Sequence, residues 1–356
     1  LKKTIKRITA VVMCIAIAFS AFGAVTSSAL SLEEGVAELR KLWSRANGPE
    51  KNGIDIDYSY YSPVENGASA DRKYPMVIIM AGALEGLQEG FELEANNMPK
   101  WTAEEYQSRF ENDHAFLFIA RAPEESRLYW DSSAITPSLK AAVDDFCVTH
   151  ENVDTDKIYI VGWCLGGNGA INLATSYPND FAATIIMCPN RAITPNEADA
   201  LKNMPVWFMG SKTDSYVSYA CNILNSFNRL RKVSNRKTDV RLTSYSSAPD
   251  VTLLDWIPFI FNHDVWDNVA DDLHTTEYEY PDMKTVDGNK KEIDNPFAIG
   301  WLDSFSLADG REQSTARDTS RFDYRMNVLF NEKHKTFIRA KLVEIMLDVF
   351  AKLGWI

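Results

Sequence analysis

The stretch KIYIVGWCLGGNGAINLATSYP, residues 157–178, limits the fold more than any other part of the chain. An apolar run of strand length ends at Trp163, and GGNGAINLATSY then continues as a helix rich in small residues. A strand can enter a helix this abruptly only through a very tight turn. Gly162 and Gly166, two residues either side of Cys164, remove the Cβ atoms that would collide there. Cys164 therefore occupies the tip of a strand–turn–helix corner. A thiol at that point faces the free N–H groups and positive end of the helix dipole, which favour the thiolate. A small apolar cysteine packed in a tight corner is the alternative use of the same position.

The rest of the chain repeats the alternation. YPMVIIMAG, AFLFIAR, FAATIIMCP and VWFMG are continuous apolar runs of the kind buried on both faces of a sheet, and VRLTSYS is a further strand. IDIDYSYYSP alternates like a strand with one solvated face. Helical patterns lie in SLEEGVAELRKLWSRAN, with Ser31 as cap, in WTAEEYQSRFEN, and in TPSLKAAVDDFCVTH, with Pro137 in its first turn. Others surround ADALKN and SYACNILNSFNRLRK, and KHKTFIRAKLVEIMLDVFAKLG closes the chain as an amphipathic helix. The expected class is α/β: a mostly parallel central sheet with helices on both faces and right-handed crossovers. Two stretches break the rhythm and read as inserted segments, an apolar one at about 246–262 and a long polar one at about 268–325.

The first 29 residues have the order of a secretory signal peptide: basic LKKTIKR, the apolar run ITAVVMCIAIAFSAFGAV, then small residues with a cut after Ala29. An uncleaved anchor is the alternative, since the run approaches the length of a bilayer span. The expected organisation is a leader, 1–29, and one domain, 30–356, outside the cytoplasm. The chain has 37 Lys and Arg against 49 Asp and Glu; loss of Lys2, Lys3, Lys6 and Arg7 with the leader leaves a charge near −16. Such a surface repels phosphate backbones and anionic lipid heads, which argues against nucleic acid and, after cleavage, against membranes as partners. Of the five cysteines, Cys147, Cys164, Cys188 and Cys221 remain after cleavage. Cys147 and Cys221 read as buried helix residues; Cys188 ends the strand expected beside that of Cys164 and reads as strand-end packing, with an approach to Cys164 as its alternative and disulfide pairing open. Their spacing lacks the CxxC pairs of zinc sites.

With the corner and its flanking strands in view, the stretch from about Ile54 to His263 resembles the α/β-hydrolase superfamily, in particular its secreted esterase, feruloyl-esterase and polyester-depolymerase-like branch. That branch usually carries serine at the turn; the cysteine here is similar to the dienelactone-hydrolase branch, which pairs thiol, aspartate and histidine. The resemblance implies a nucleophile, acid and base in that order along the chain. Asp214 in GSKTD, after VWFMG, matches the acid, and a helix N-cap is its competing use. His263 in HDVW matches the base, with His274 in reserve; His114, His150 and His334 read as surface or capping residues. One oxyanion donor would be the Leu165 N–H. The other would be Ala83 N–H in MAGALEG, where Ala81 replaces the family's usual histidine.

Trp163, Trp130 and Trp256 are candidate pocket-lining residues, with core packing as their other reading, and Trp266 joins them as a further aromatic near the site. No cofactor or metal is called for by this chemistry. The implied partner is a small-molecule or polymer-linked ester, cleaved as an ester, thioester or lactone through an acyl-enzyme. The rival function is a binding or scaffold protein that keeps the corner for architecture alone.

Overall fold

The computed structural model describes residues 39–82, 93, 98–121, 130, 135–214, 217–245, 265, 283–294 and 297–318. All of them except Asp318 fall in one compact unit, Leu1–Arg317; Asp318–Ile356 form a second. The leader, the closing helix and the first inserted segment, 246–262, lie outside the described residues.

The strands form one sheet. They are β1 Ser44–Asn47, β2 Asp57–Tyr61, β3 Tyr74–Met80, β4 Phe116–Ala120, β5 Val153–Trp163, β6 Ala183–Met187, β7 Val206–Ser211, β8 Val240–Tyr245, β9 Lys284–Val286 and β10 Glu292–Ile293. Their spatial order is β1-β2-β4-β3-β5-β6-β7-β8-β9-β10. From β4 to β8 all neighbours are parallel, while β1, β2, β9 and β10 join antiparallel at the two sides. The mostly parallel centre is the one expected from the continuous apolar runs. Every residue of β3, β4 and β6 is buried, which needs cover on both faces.

The described helices are α1 Glu104–Gln107, α2 Ile135–Thr149, α3 Leu165–Ser176, α4 Pro195–Ala200, α5 Asn225–Leu230 and α6 Ala298–Asp303; a π-helical turn, Tyr219–Leu224, leads into α5. α3 packs on the sheet with unusual closeness, and the glycines explain why. A Cβ on Gly166 would stand 1.8 Å from the Met80 carbonyl oxygen of β3, and one on Gly162 would stand 2.2 Å from the Gly166 oxygen. No side chain fits either position, so the helix starts directly over the strand ends.

Three readings are corrected. The helix expected across 31–47 is not continuous: Ser44–Asn47 is edge strand β1, paired with β2 from Ser44↔Tyr60 to Asn47↔Asp57. Edge pairing and burial of the adjacent Trp43 override local helical propensity. WTAEEYQSRFEN breaks into a 3₁₀ turn Met98–Thr102, α1 and a second 3₁₀ turn Glu111–Asp113. The buried Gln107 side chain causes the break: its amide donates to Trp101 O at 2.7 Å, and its oxygen accepts from Ala115 N–H at 2.8 Å. The polar stretch after 283 is more regular than its composition implies, since it contributes β9, β10 and α6. Thr285 of β9 is fully buried and shares a hydroxyl hydrogen bond of 2.7 Å with Thr243 of β8, which also accepts from Trp207 Nε1 at 2.8 Å.

Two of the helical glycines, Gly166 and Gly300, should respond oppositely to alanine. Gly166→Ala forces backbone against backbone and should cost about 3 kcal/mol or more. Gly300→Ala meets nothing nearer than Phe297 Cβ at 3.9 Å and should be neutral or stabilise by up to about 1 kcal/mol. Thermal unfolding followed by circular dichroism compares the two.

Candidate active site

Cys164 stands at the tip between β5 and α3 with φ 55° and ψ −117°. That conformation lies outside the regions open to ordinary residues and costs on the order of 1–3 kcal/mol. It is held by backbone on both sides. Cys164 N–H donates to Met187 O of β6 at 3.0 Å, and Cys164 O accepts from Asn168 N–H at 3.3 Å. The residue is 5% exposed. Leu165 follows as the first residue of α3, among the N–H groups that a helix cannot satisfy within itself.

The loop expected to supply the second donor begins against the same helix. The Gly166 Cα faces both Met80 O and Ala81 O, the latter 2.5 Å from a built Cβ. Ala81 and Gly82 are buried. Ala83 itself lies outside the described residues, as do His263, the reserve His274, Trp256 and Trp266. Val265, two residues past His263, is fully buried in the core.

Asp214 lies three residues beyond β7, at the same carboxyl edge of the sheet as Cys164. Open parallel sheets gather their ligands at that edge. One carboxylate oxygen, Oδ1, accepts from Val217 N–H at 2.9 Å, and Asp214 N–H donates to Ser211 O at 3.3 Å. The cap of the following π-helical turn is Ser218, whose hydroxyl accepts from Cys221 N–H at 3.2 Å. Asp214 is thus fixed in its turn without serving as that cap.

Trp163 is the half-buried last residue of β5 and packs against the core. Trp130 is buried, with its Cβ against Gly169 and its carbonyl accepting from Asn172 Nδ2 at 2.8 Å. The cysteines are all thiols among the described residues. Cys221 is exposed rather than buried, because its π-helical turn leaves only Ile223 facing the core. Cys147 is half-buried in α2, and burial, with Asp144 adding, pushes its thiol up to about 11. No cluster of metal-ligating side chains occurs among the described residues.

Behind α3 lies a charged network that hydropathy did not reveal. Glu197 of α4 is paired by Arg191 through Nη1 at 2.8 Å and Nη2 at 2.9 Å, and by Arg317 Nη1 at 2.8 Å. Both arginines also reach Asn172 Oδ1 of α3, at 2.8 and 2.7 Å. Glu197 closes a capping box with Thr194 as well, accepting from its N–H at 2.7 Å. The TPNE stretch, Thr194–Glu197, is the legible sign of that box; the arginines are not legible, being distant in sequence. Asn168 Nδ2 donates to Asn190 Oδ1, and Asn222 Nδ2 to Pro189 O at 3.1 Å, so the segment after β6 is tied to both α3 and the π-helical turn.

The fold has counterparts among other proteins. A solved structure described as a thermostable esterase superposes with a TM-score of 0.56 at 20% identity, covering 75% of this chain and 64% of that one. Residues 120–249 match the model of the dienelactone hydrolase family. The chain has the α/β-hydrolase fold. The family match includes Cys164, Leu165 and Asp214 and ends before His263. The shared length is just under two thirds of the esterase chain. No curated protein matches.

Glu197 gives a stability test. Burial alone would raise its carboxyl, but the Arg191 charge and hydrogen bonds, the Thr194 N–H and Arg317 outweigh burial and hold it below the ordinary value. A lowered carboxyl contributes stability that is complete above the unfolded value of about 4.3 and lost as pH falls through the folded value. Glu197→Ala should cost about 3–5 kcal/mol at neutral pH by leaving the arginine charges buried without it. Glu197→Gln should lessen the acid dependence of stability; urea melts at neutral pH and near pH 3 measure both.

Proposed function

We propose that the protein is an exported hydrolase that cleaves a carboxylic ester, thioester or lactone, with Cys164 as nucleophile, His263 as base and Asp214 as the acid that orients it. The observation that carries the reading is the backbone of Cys164. The turn demands a positive φ, which glycine adopts freely; holding a thiol there instead, between a buried strand and a helix N-terminus, carries a strain that packing alone does not repay. The dienelactone hydrolase family match over 120–249 supports hydrolysis of an ester or lactone. The leader reading supports export.

In this mechanism the Cys164 sulfur attacks the acyl carbon, and the N–H groups of Leu165 and Ala83 receive the developing oxyanion. His263 passes a proton to the leaving alcohol or thiol and then activates water to release the acid. Asp214 holds the imidazole and its charge, its own carboxylate steadied by the Val217 N–H. The strongly acidic surface disfavours polyanionic substrates and suits a neutral acyl group.

Hydrolysis of short aryl esters and thiol alkylation across pH test this together. Cys164→Ala should lower turnover on the order of 10³-fold or more while the fold melts normally. Cys164 should alkylate faster at neutral pH than the exposed Cys221, and His263→Ala should slow it to an ordinary rate. Exposed Cys221 is the internal reference and the half-buried Cys147 the slow one. Labelling of Cys164 that is slow and indifferent to His263→Ala, with no ester turnover, points instead to the binding-protein reading. A large gain in turnover for Cys164→Ser would mark a serine enzyme that has exchanged its nucleophile.

A further inference from the structure

β5 and β6 end side by side, each running into a cysteine. Trp163 pairs with Met187 in their parallel ladder. Cys164 N–H then donates to Met187 O at 3.0 Å. In a parallel ladder that bond belongs to the residue standing opposite the next position, so Cys164 and Cys188 are the following in-register pair. Cys188 in turn donates to Met209 O of β7 at 3.1 Å. Adjacent strands lie about 4.8 Å apart, within the Cα separations of about 4.4–6.8 Å that disulfides bridge. Both residues also turn the chain at the same level, with φ 55° and 41°. Both are thiols, one 5% and the other 0% exposed.

We propose that Cys164 and Cys188 form a reversible redox pair, closing to a disulfide across β5 and β6 when a peroxide oxidises Cys164. Cys164 reacts first because it is the more exposed of the two and sits at the N-terminus of α3. Its thiolate attacks a peroxide oxygen; the O–O bond breaks, a sulfenic acid forms and hydroxide leaves. The Cys188 sulfur then attacks that sulfur, the S–S bond forms, the S–O bond breaks, and the Cys188 proton departs with the hydroxyl as water. Two thiols and one hydrogen peroxide become one disulfide and two waters. Formation of the disulfide rests on the register alone. Loss of hydrolysis on closure rests in addition on Cys164 as the nucleophile.

The test uses the full chain, reduced and then treated with equimolar hydrogen peroxide, alkylated with iodoacetamide under denaturing conditions and digested with trypsin. Residues 158–191 form one tryptic peptide that holds Cys164 and Cys188 and no other cysteine. The expected product is that peptide unalkylated and lighter by two hydrogens, with Cys147 and Cys221 alkylated. Aryl-ester hydrolysis should fall in step and return to the untreated level with dithiothreitol. Cys188→Ala and Cys188→Ser should hydrolyse normally when reduced, but two or more equivalents of peroxide should drive their Cys164 through sulfenic to sulfinic acid, which dithiothreitol does not restore. Wild-type Cys164 found as sulfinic acid beside an alkylated Cys188 would overturn the pair, as would full recovery in both Cys188 variants. A linked peptide with undiminished hydrolysis would uphold the pair and remove Cys164 from the catalytic role.

Discussion

The start of α3 rests on the carboxyl end of β3 with no side chain between them. Gly166 meets the Met80 carbonyl so closely that any Cβ would overlap it, and Gly162 meets Gly166 in the same way. That approach sets the height of the helix above the sheet. The height in turn fixes the angle through which Cys164 must turn, and so its positive φ. The loop leaving β3 starts from the same contact. The position of Cys164 and that of the first residues of the loop after β3 are therefore one geometric constraint.

Strain of this kind persists only where surrounding bonds overdetermine it. Cys164 is tied through its N–H to β6 and through its carbonyl to α3. The segment after β6 is tied to α3 by Asn168 and Asn190, and to the π-helical turn by Asn222. Farther back, Arg191, Glu197 and Arg317 meet at Asn172 on α3, joining α4 and the end of the compact unit to the helix. A buried network carrying two cations on one carboxylate adds little net stability compared with an apolar core of equal volume. Its effect is to leave α3 few alternative positions, because each displacement would strand a buried charge.

Hydropathy and glycine spacing made the centre of the molecule legible. β3 to β8 are apolar runs, and their alternation with helices implied the parallel sheet that the structure contains. The edges were harder to read. Ser44–Asn47 has no pattern that separates an edge strand from a helix end, and its pairing with β2 settled the matter. β9 was hidden because its buried residue is Thr285, a polar side chain satisfied by Thr243 across the ladder. Periodicity of apolar residues is blind to a polar residue whose partner lies 42 positions away. Cys221 failed for a related reason: a π-helical turn rotates side chains off the 3.6-residue period on which its burial was argued.

The sequence by itself determined the class of fold and the place of the turn, because a buried strand that meets a helix across glycines two either side of Cys164 has one compact solution. It also carried the order of thiol and carboxylate along the chain. Only the tertiary structure decided that Asp214 is not the helix cap, since Ser218 takes that bond. Only the tertiary structure placed Cys188 opposite Cys164, because register is a property of two strands together and neither strand contains it alone.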